Sequence, residues 1–126
     1  MRIQSYKELI AWKKAISLVT DLYVATQSFP KYETYGLAGQ IRRAAVSIPS
    51  NIAEGQGRLT RGEFRQFLGN ARGSIFEVES QIVIAENLQY LDSSVAAQLL
   101  GRLDELGRIL NGLLKALDSR RASLQE

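Results

Sequence analysis

The sequence predicts an all-α protein, an antiparallel up-down-up-down four-helix bundle. Only two prolines occur in the 126 residues, Pro30 and Pro49, so turn signals are sparse and the elements should be few and long. Apolar residues recur at alternating steps of three and four along most of the chain, which is the helical period. Short polar connections separate four such segments, and short connections join antiparallel neighbours in helical bundles.

Helix 1 is predicted to begin at Ser5, because Ser5 and Glu8 stand in the S-x-x-E order of a capping box. Its apolar positions predict one buried row: Leu9, Trp12, Ile16, Val19 and Tyr23. Helix 2 is predicted over residues 35–54, with a second apolar row: Leu37, Ile41, Ala44, Ala45, Ile48 and Ile52. This row keeps its phase across Pro49, so we expect the helix to kink there and continue.

Helix 3 is predicted to begin at a second capping box, formed by Thr60 and Glu63. A strict heptad of apolar residues predicts its buried row: Phe64, Leu68, Ala71, Ile75, Val78, Ile82 and Ala85. Four more apolar residues lie off this row and predict a second partner, in the bundle or on another subunit: Phe67, Phe76, Val83 and Ile84. Gly69 and Gly73 indicate either a close helix crossing or a tolerated weakness.

Helix 4 follows a cap at Asp92 or Ser93. Its heptad row predicts the last part of the core: Ala96, Leu99, Leu103, Leu106, Leu110, Leu113 and Leu117. We therefore expect a single four-helix-bundle domain over residues 1–118 and a flexible C-terminal tail over residues 119–126.

The composition argues against an enzyme. The chain has no Cys and no His, which removes thiol chemistry and the commonest general base and metal ligand. We predict no catalytic residue, no metal and no cofactor; a carboxylate-based enzyme using Arg43, Ser47 and Glu54 is the remote alternative. No apolar run is long enough to span a membrane, and charges come too early for a signal peptide, so the expected location is cytoplasmic.

Arginines dominate the charge of the middle of the chain. The formal net charge is +3, and between Gly36 and Phe76 only Glu54 and Glu63 oppose six arginines. We predict that five of these contact nucleic acid: Arg42, Arg58, Arg61, Arg65 and Arg72. The alternative interpretation is a solvated face with some internal ion pairs.

The remaining arginine, Arg43, belongs to a polar row that helix 3 matches with a row of its own. An antiparallel hairpin around Gly57 would place Arg43 opposite Glu77 or Ser74, and Ser47 opposite Asn70. We therefore predict a buried polar network that fixes the register of the two helices: Gln40, Arg43, Ser47, Asn51, Glu54, Asn70, Ser74, Glu77 and Gln81. It follows that Arg43→Ala should lower stability more than Arg42→Ala. A ligand or inter-subunit groove is the alternative.

One string of helix 2 is long and specific. It comprises Tyr35-Gly36-Leu37, Gln40-Ile41-Arg42-Arg43-Ala44-Ala45-Val46-Ser47-Ile48-Pro49 and Asn51-Ile52-Ala53-Glu54-Gly55. Together with Phe64, Phe67-Leu68, Gly73-Ser74, Glu77, Glu79 and Gln81, it resembles the four-helix-bundle proteins encoded by intervening sequences of bacterial 23S rRNA genes. The similarity covers nearly the whole chain.

The resemblance implies a function only in outline. The family is similar in fold to an accessory protein of diversity-generating retroelements, a homopentamer that binds nucleic acid and associates with a reverse transcriptase. The implied function is therefore a non-catalytic homopentamer that scaffolds or binds structured RNA or DNA, with a reverse transcriptase or another protein as a further partner. A protein–protein adaptor without nucleic-acid binding is the alternative. The net charge of +3 departs from the strongly basic retroelement protein.

Overall fold

The computed structural model describes residues 6 and 9–125, with side chains as far as Asp118. Its helices are α1 (Ile10–Thr26), α2 (Leu37–Gln56), α3 (Arg61–Asn87) and α4 (Ser93–Gln125), with a 3₁₀ turn over Lys31–Glu33. The described part of the chain contains no strand. The predicted all-α four-helix bundle is confirmed.

The four helices pack in a square with antiparallel neighbours. Helices α1 and α3 occupy opposite corners, and each packs against both α2 and α4. Cross-helix bonds give the direction: Lys14 and Asp21 of α1 pair with Glu105 and Arg102 of α4, so ascending numbers meet descending ones. The buried leucines and isoleucines of all four helices form one continuous core.

Helix α1 differs from its prediction in both start and phase. It begins at Ile10 after an extended Leu9, and the predicted capping residues Ser5 and Glu8 lie outside the described residues. The row facing the core is shifted by one position along the helix: Ala11, Ala15, Leu18 and Leu22. The predicted row was wrong beyond Leu9, because Trp12 and Val19 are only half-buried and Ile16 and Tyr23 are exposed. Two alanines on the inner face leave the larger side chains outside.

Helix α2 runs unbroken through Pro49, as predicted, and all six residues of its apolar row except the half-buried Leu37 are buried. Its start is capped by a carboxylate, since Glu33 Oε1 accepts a hydrogen bond of 3.0 Å from the backbone N–H of Leu37. The same carboxylate group accepts one of 2.9 Å from the Tyr90 hydroxyl in the α3–α4 connection. Hydrogen bonding with Tyr32 and then with Glu33 raises the pKa of Tyr90.

Helix α3 matches its prediction most closely. Thr60 accepts a hydrogen bond of 3.1 Å from the backbone N–H of Glu63, and every member of the predicted row from Leu68 to Ala85 is buried. Of the two explanations for Gly69 and Gly73, the tolerated weakness fits the described part of the chain, and the close helix crossing does not. A Cβ added at either glycine would meet no atom within 4 Å.

Helix α4 buries its predicted row from Ala96 to Leu110, after which Leu114 takes the inward position and Leu113 is half-buried. Its backbone stays helical to Gln125, and side chains after Asp118 lie outside the described part, so the flexibility of the tail stays a prediction. None of the helices described here combines the length and apolar character that crossing a membrane would need.

Candidate nucleic-acid interface

A groove between α3 and α4 is lined by two of the five arginines that the sequence assigns to nucleic acid, Arg65 and Arg72. Arg65, Gly69 and Arg72 stand at steps of four and three, which places them on one face of α3. Three polar residues of α4 form the facing wall: Asn111, Lys115 and Asp118. The groove encloses about 380 Å³. Because Gly69 has no side chain, the floor between the two arginines is open.

The two arginines have different partners. Arg65 donates to both carboxylate oxygens of Asp118, from Nε at 2.7 Å and from NH2 at 3.3 Å. This hydrogen bond and the charge of Asp118 raise the pKa of Arg65. Arg72 donates from NH1 to Oδ1 of Asn111 at 3.0 Å, so its partner is neutral.

The groove keeps an excess of positive charge. Lys115 makes no ion pair within the described part of the chain, and the only carboxylate lining the groove is Asp118. Two of the three cations therefore lack an anionic partner there. Arg61 opens α3 on the same side of the helix, half-buried, and its side chain makes no hydrogen bond or ion pair with the described residues.

The opposite end of the α3–α4 contact is acidic. Burial raises the pKa of Glu79 on α3, and the nearby charge of Asp104 on α4 adds to the effect. Glu86 and Asp92 line an open depression where the two helices join. The acidic side chains therefore lie at the end of the contact away from Arg65 and Arg72.

Arg42, predicted for the nucleic-acid surface, is tied into the fold. It is half-buried, and its Nε donates to the hydroxyl of the buried Thr26 at 2.9 Å. Its NH2 donates to the backbone carbonyl of Tyr23 at 3.3 Å, and the guanidinium lies 5.0 Å from the centre of the Tyr23 ring. Arg42 therefore fastens α2 to the end of α1.

Arg58 lies in the turn between α2 and α3. Its guanidinium covers the ring of Phe67 at 4.8 Å from the centroid, and Glu54 is a distant partner at 3.8 Å. Phe67, which the sequence places off the main row, thus packs within the bundle. The face of Arg58 away from the ring is exposed.

The predicted buried polar network forms only at its centre. Ser47 donates to the hydroxyl of Ser74 at 2.6 Å, Ser74 donates to the carbonyl of Asn70 at 3.2 Å, and Asn51 donates to the carbonyl of Ser47 at 2.7 Å. Ser47 therefore meets Ser74 and not the side chain of Asn70, which shifts the register by one helical turn. The two helices therefore pair about the start of α3, at residues 60 and 61, and not about Gly57.

Arg43 differs most from its predicted place in the buried polar network. It is exposed, and its side chain makes no hydrogen bond or ion pair with the described residues, so the expected burial against Glu77 is wrong. Gln40, Glu54 and Asn70 are also exposed. This polar surface on α2 and α3 is a solvent-facing stripe with one bonded serine pair at its centre.

Gln81 is the buried member of the stripe. It is 6% exposed and donates from Nε2 to Glu77 at 3.2 Å. Its Oε1 accepts no hydrogen bond within the described part of the chain. The hydrogen bonds of this polar stripe therefore end at Gln81, with one acceptor unused among the described residues.

Two apolar surfaces remain uncovered on the described chain. A groove of about 260 Å³ between α1 and α2 is lined by three side chains that the sequence assigns to the core of helix 1, namely Trp12, Ile16 and Val19. Tyr6 and the α2 residues Val46 and Pro49 complete its apolar lining. On the outer face of α3, Phe76, Val83 and Ile84 are 55%, 44% and 47% exposed. No group of three or more acidic, histidine or cysteine side chains among the described residues could hold a metal ion.

Sequence reasoning missed the α4 wall of the groove. Asn111, Lys115 and Asp118 repeat the steps of four and three that relate Arg65, Gly69 and Arg72. Antiparallel packing pairs position 72 with 111 and position 65 with 118. That match between two helix faces was the available signal.

A compact four-helix bundle with a basic groove is the class of protein that these features define. The chain matches the model of the 23S rRNA-intervening sequence protein family over residues 7–112, and it belongs to that family. The family resemblance predicted from helix 2 is confirmed.

A solved structure supports the fold independently. It is the crystal structure, at 1.70 Å resolution, of a protein of unknown function from the S23 ribosomal protein family of Bacteroides thetaiotaomicron. The two chains share 18% sequence identity with a TM-score of 0.78, over 84% of this chain and 96% of the other. At this identity the likeness concerns the fold alone. The comparison with curated proteins gives no match.

Proposed function

We propose that this protein is a non-catalytic, self-associating bundle that binds structured RNA or DNA in the cytoplasm through the groove between α3 and α4. The observation that carries the proposal is the cluster of Arg65, Arg72 and Lys115 around a groove with one opposing carboxylate, Asp118. Cationic side chains that neutralise phosphates supply most of the non-specific affinity for nucleic acids. Arg61 extends the same face and belongs to the proposed interface.

Fewer arginines belong to the proposed interface than the five that the sequence predicts. Arg42 directs its donors to Thr26 and Tyr23, so few remain for a phosphate. Arg58 stacks on Phe67 at the end of the bundle and can serve as an outlying contact.

The absence of catalysis in this proposal rests on distances along α2. Ser47 and Glu54 lie seven residues apart, about 10.5 Å along a helix, which is too far for the carboxylate to act as a base toward the hydroxyl. Ser47 is instead held by Ser74. Arg43, the third group of the enzyme hypothesis, stands exposed beside this pair.

Self-association is supported by the two uncovered apolar surfaces. The α1–α2 groove and the outer face of α3 lie on different sides of the bundle, so a contact between one surface and the other would be heterologous. Heterologous contacts generate rings when the rotation closes. The homopentamer implied by the family resemblance is such a ring, and we retain it in the proposal.

The nucleic-acid part is tested by fluorescence anisotropy with a labelled RNA stem-loop at several salt concentrations. Three phosphate contacts give a slope of log affinity against log salt of about −2 to −3. The double variant Arg65→Ala/Arg72→Ala should flatten this slope by about 2.

The matched control is Lys14→Ala/Arg108→Ala, which removes the same charge from two exposed ion pairs outside the groove. It should leave the slope within about 0.5 of the wild type. Equal weakening by both double variants, or no binding at low salt, would refute the interface.

The self-association part is tested by analytical ultracentrifugation. For a pentamer, the molar mass from sedimentation equilibrium should be five times the 14.0 kDa of one chain. Ile16→Glu in the α1–α2 groove and Val83→Glu on α3 should each give monomers, whereas Leu59→Glu, at an apolar residue in the α2–α3 turn that is 99% exposed, should not. A wild-type monomer at micromolar concentration contradicts the proposal.

The protein–protein adaptor is the second candidate, because the same apolar surfaces fit a protein partner such as the reverse transcriptase implied by the resemblance. An adaptor shows no RNA binding at about 50 mM salt, where phosphate contacts are strongest. The anisotropy titration therefore separates the two functions directly.

A further inference from the structure

Asp118 occupies the position on Arg65 that a phosphate would take. Its two oxygens accept from Nε and NH2 of one guanidinium, at 2.7 and 3.3 Å. Arginine binds carboxylates and phosphates with this same two-pronged geometry. A phosphate that reached Arg65 would have to replace this carboxylate or share the guanidinium with it.

The Arg65–Asp118 pair is open to exchange. The two side chains are 48% and 51% exposed, and ion pairs this exposed contribute little to stability. Asn111 leaves the charge of Arg72 uncompensated, and Lys115 stands between the two contacts on the facing helix. The groove thus has one covered cation and two uncovered ones.

The spacing of the two arginines indicates the shape of the ligand. Arg65 and Arg72 are seven positions apart, which is about 10.5 Å along the helix axis. The side chains are held apart as well, because Arg65 bonds to Asp118 and Arg72 bonds to Asn111, seven positions away on α4. In this arrangement one phosphate does not contact both guanidinium groups. A phosphodiester strand that lies along the groove presents successive phosphates and can reach each of them.

We propose that Asp118 is an internal competitor for phosphate, which weakens the groove toward single phosphates and reserves it for phosphodiester strands that engage Arg72 and Lys115 first. This inference rests on the proposed function of the groove and adds an affinity-setting residue to it. A strand anchored at Arg72 and Lys115 brings its next phosphate to Arg65 at high local concentration. Asp118 then gives up its bonds to Arg65, an ion pair between two half-exposed side chains.

The test is Asp118→Asn, which keeps the size of the side chain and removes its charge. Anisotropy with the labelled RNA stem-loop at about 50 mM salt should show affinity increased by about three- to tenfold, because Arg65 is released and one repulsive charge is lost. Circular dichroism confirms that the variant is folded.

Asp104→Asn is the matched control. Asp104 also pairs with an arginine on α4, at 2.8 Å, and lies about 21 Å along the helix from Asp118. Asp104→Asn changes the net charge by the same amount as Asp118→Asn and should raise the affinity for RNA by less than about twofold. Equal gains in the two variants would reduce the effect to net charge and overturn the inference.

A second variant separates release of Arg65 from simple electrostatics. In an Arg65→Ala background, Asp118→Asn should give less than half of its original gain in log affinity, since no guanidinium remains to be released. A gain of undiminished size contradicts the competitor role.

These measurements separate a failure of the proposed RNA binding from a failure of the competitor role of Asp118. If wild type and Asp118→Asn both fail to bind RNA, the proposed function fails, whereas wild-type binding unchanged by Asp118→Asn refutes only the competitor. Inorganic phosphate, added at the same concentration of phosphate groups as an unlabelled RNA competitor, should displace the probe far less. Equal displacement would show a single-phosphate site and overturn the assignment to strands.

Discussion

Glycines and polar residues occur at both contacts of helix α3, which packs closely against α2 and leaves an open groove toward α4. Toward α2, the contact is close: Gly55 packs against Phe67, and Ser47 bonds to Ser74. Toward α4, Gly69 opens onto space, and Arg65 and Arg72 reach across a groove. A glycine or a polar residue on a helix therefore has no fixed meaning. Its role depends on how near the next helix comes.

The largest expected effect compares the two glycines. A Cβ at Gly55 would lie 2.7 Å from Cβ of Phe67 and 3.3 Å from the backbone oxygen of Phe64. Gly55→Ala should therefore destabilise the protein by about 2 kcal/mol. Gly69→Ala meets nothing and should stabilise it by up to about 1 kcal/mol through helix propensity. Urea denaturation measures both, and a loss of stability at Gly69 would mean that the groove is tightly packed.

The next effect extends the comparison to adjacent residues of α2. Arg42→Ala removes hydrogen bonds to Thr26 and Tyr23 and should cost about 1–2 kcal/mol. Arg43→Ala should change stability by less than about 0.5 kcal/mol, because Arg43 is exposed. This order reverses the one predicted from the sequence. Thermal unfolding monitored by circular dichroism decides it, and a larger loss at Arg43 would restore the buried network.

A smaller effect tests the serine pair. Ser47→Ala and Ser74→Ala should each be destabilising, and their double-mutant cycle should show a coupling of about 1 kcal/mol, which is typical of one hydrogen bond between neutral groups. Ser80→Ala is a suitable control, since its hydroxyl bonds only the carbonyl of Phe76 on its own helix. Strict additivity of Ser47 and Ser74 would mean that the contact contributes nothing.

The smallest expected effect lies across the groove. Asp118→Asn breaks an ion pair with Arg65 that is half-exposed, so the melting temperature should stay unchanged within error at moderate salt. Differential scanning calorimetry measures this. A decrease in melting temperature as large as that of Ser47→Ala would show that the Arg65–Asp118 contact stabilises the fold as much as the α2–α3 contact does.

Several features could be predicted because they depend on the chain's own spacing. The heptad rows of α3 and α4, the capping box at Thr60 and the continuation of α2 through Pro49 are set by residues within a turn or two of each other. The α2 string identified the family for the same reason, since it is contiguous.

The tertiary structure decided what the spacing left open. Alanines at positions 11 and 15 let α1 turn its larger side chains outward, a choice that depends on the space beside α2 and α4. One helical turn of register exchanged Asn70 for Ser74 opposite Ser47. The basic groove exists only because α4 brings Lys115 and Asp118 beside Arg65. Periodicity determines which residues share a face of a helix, whereas only packing between helices determines what that face meets.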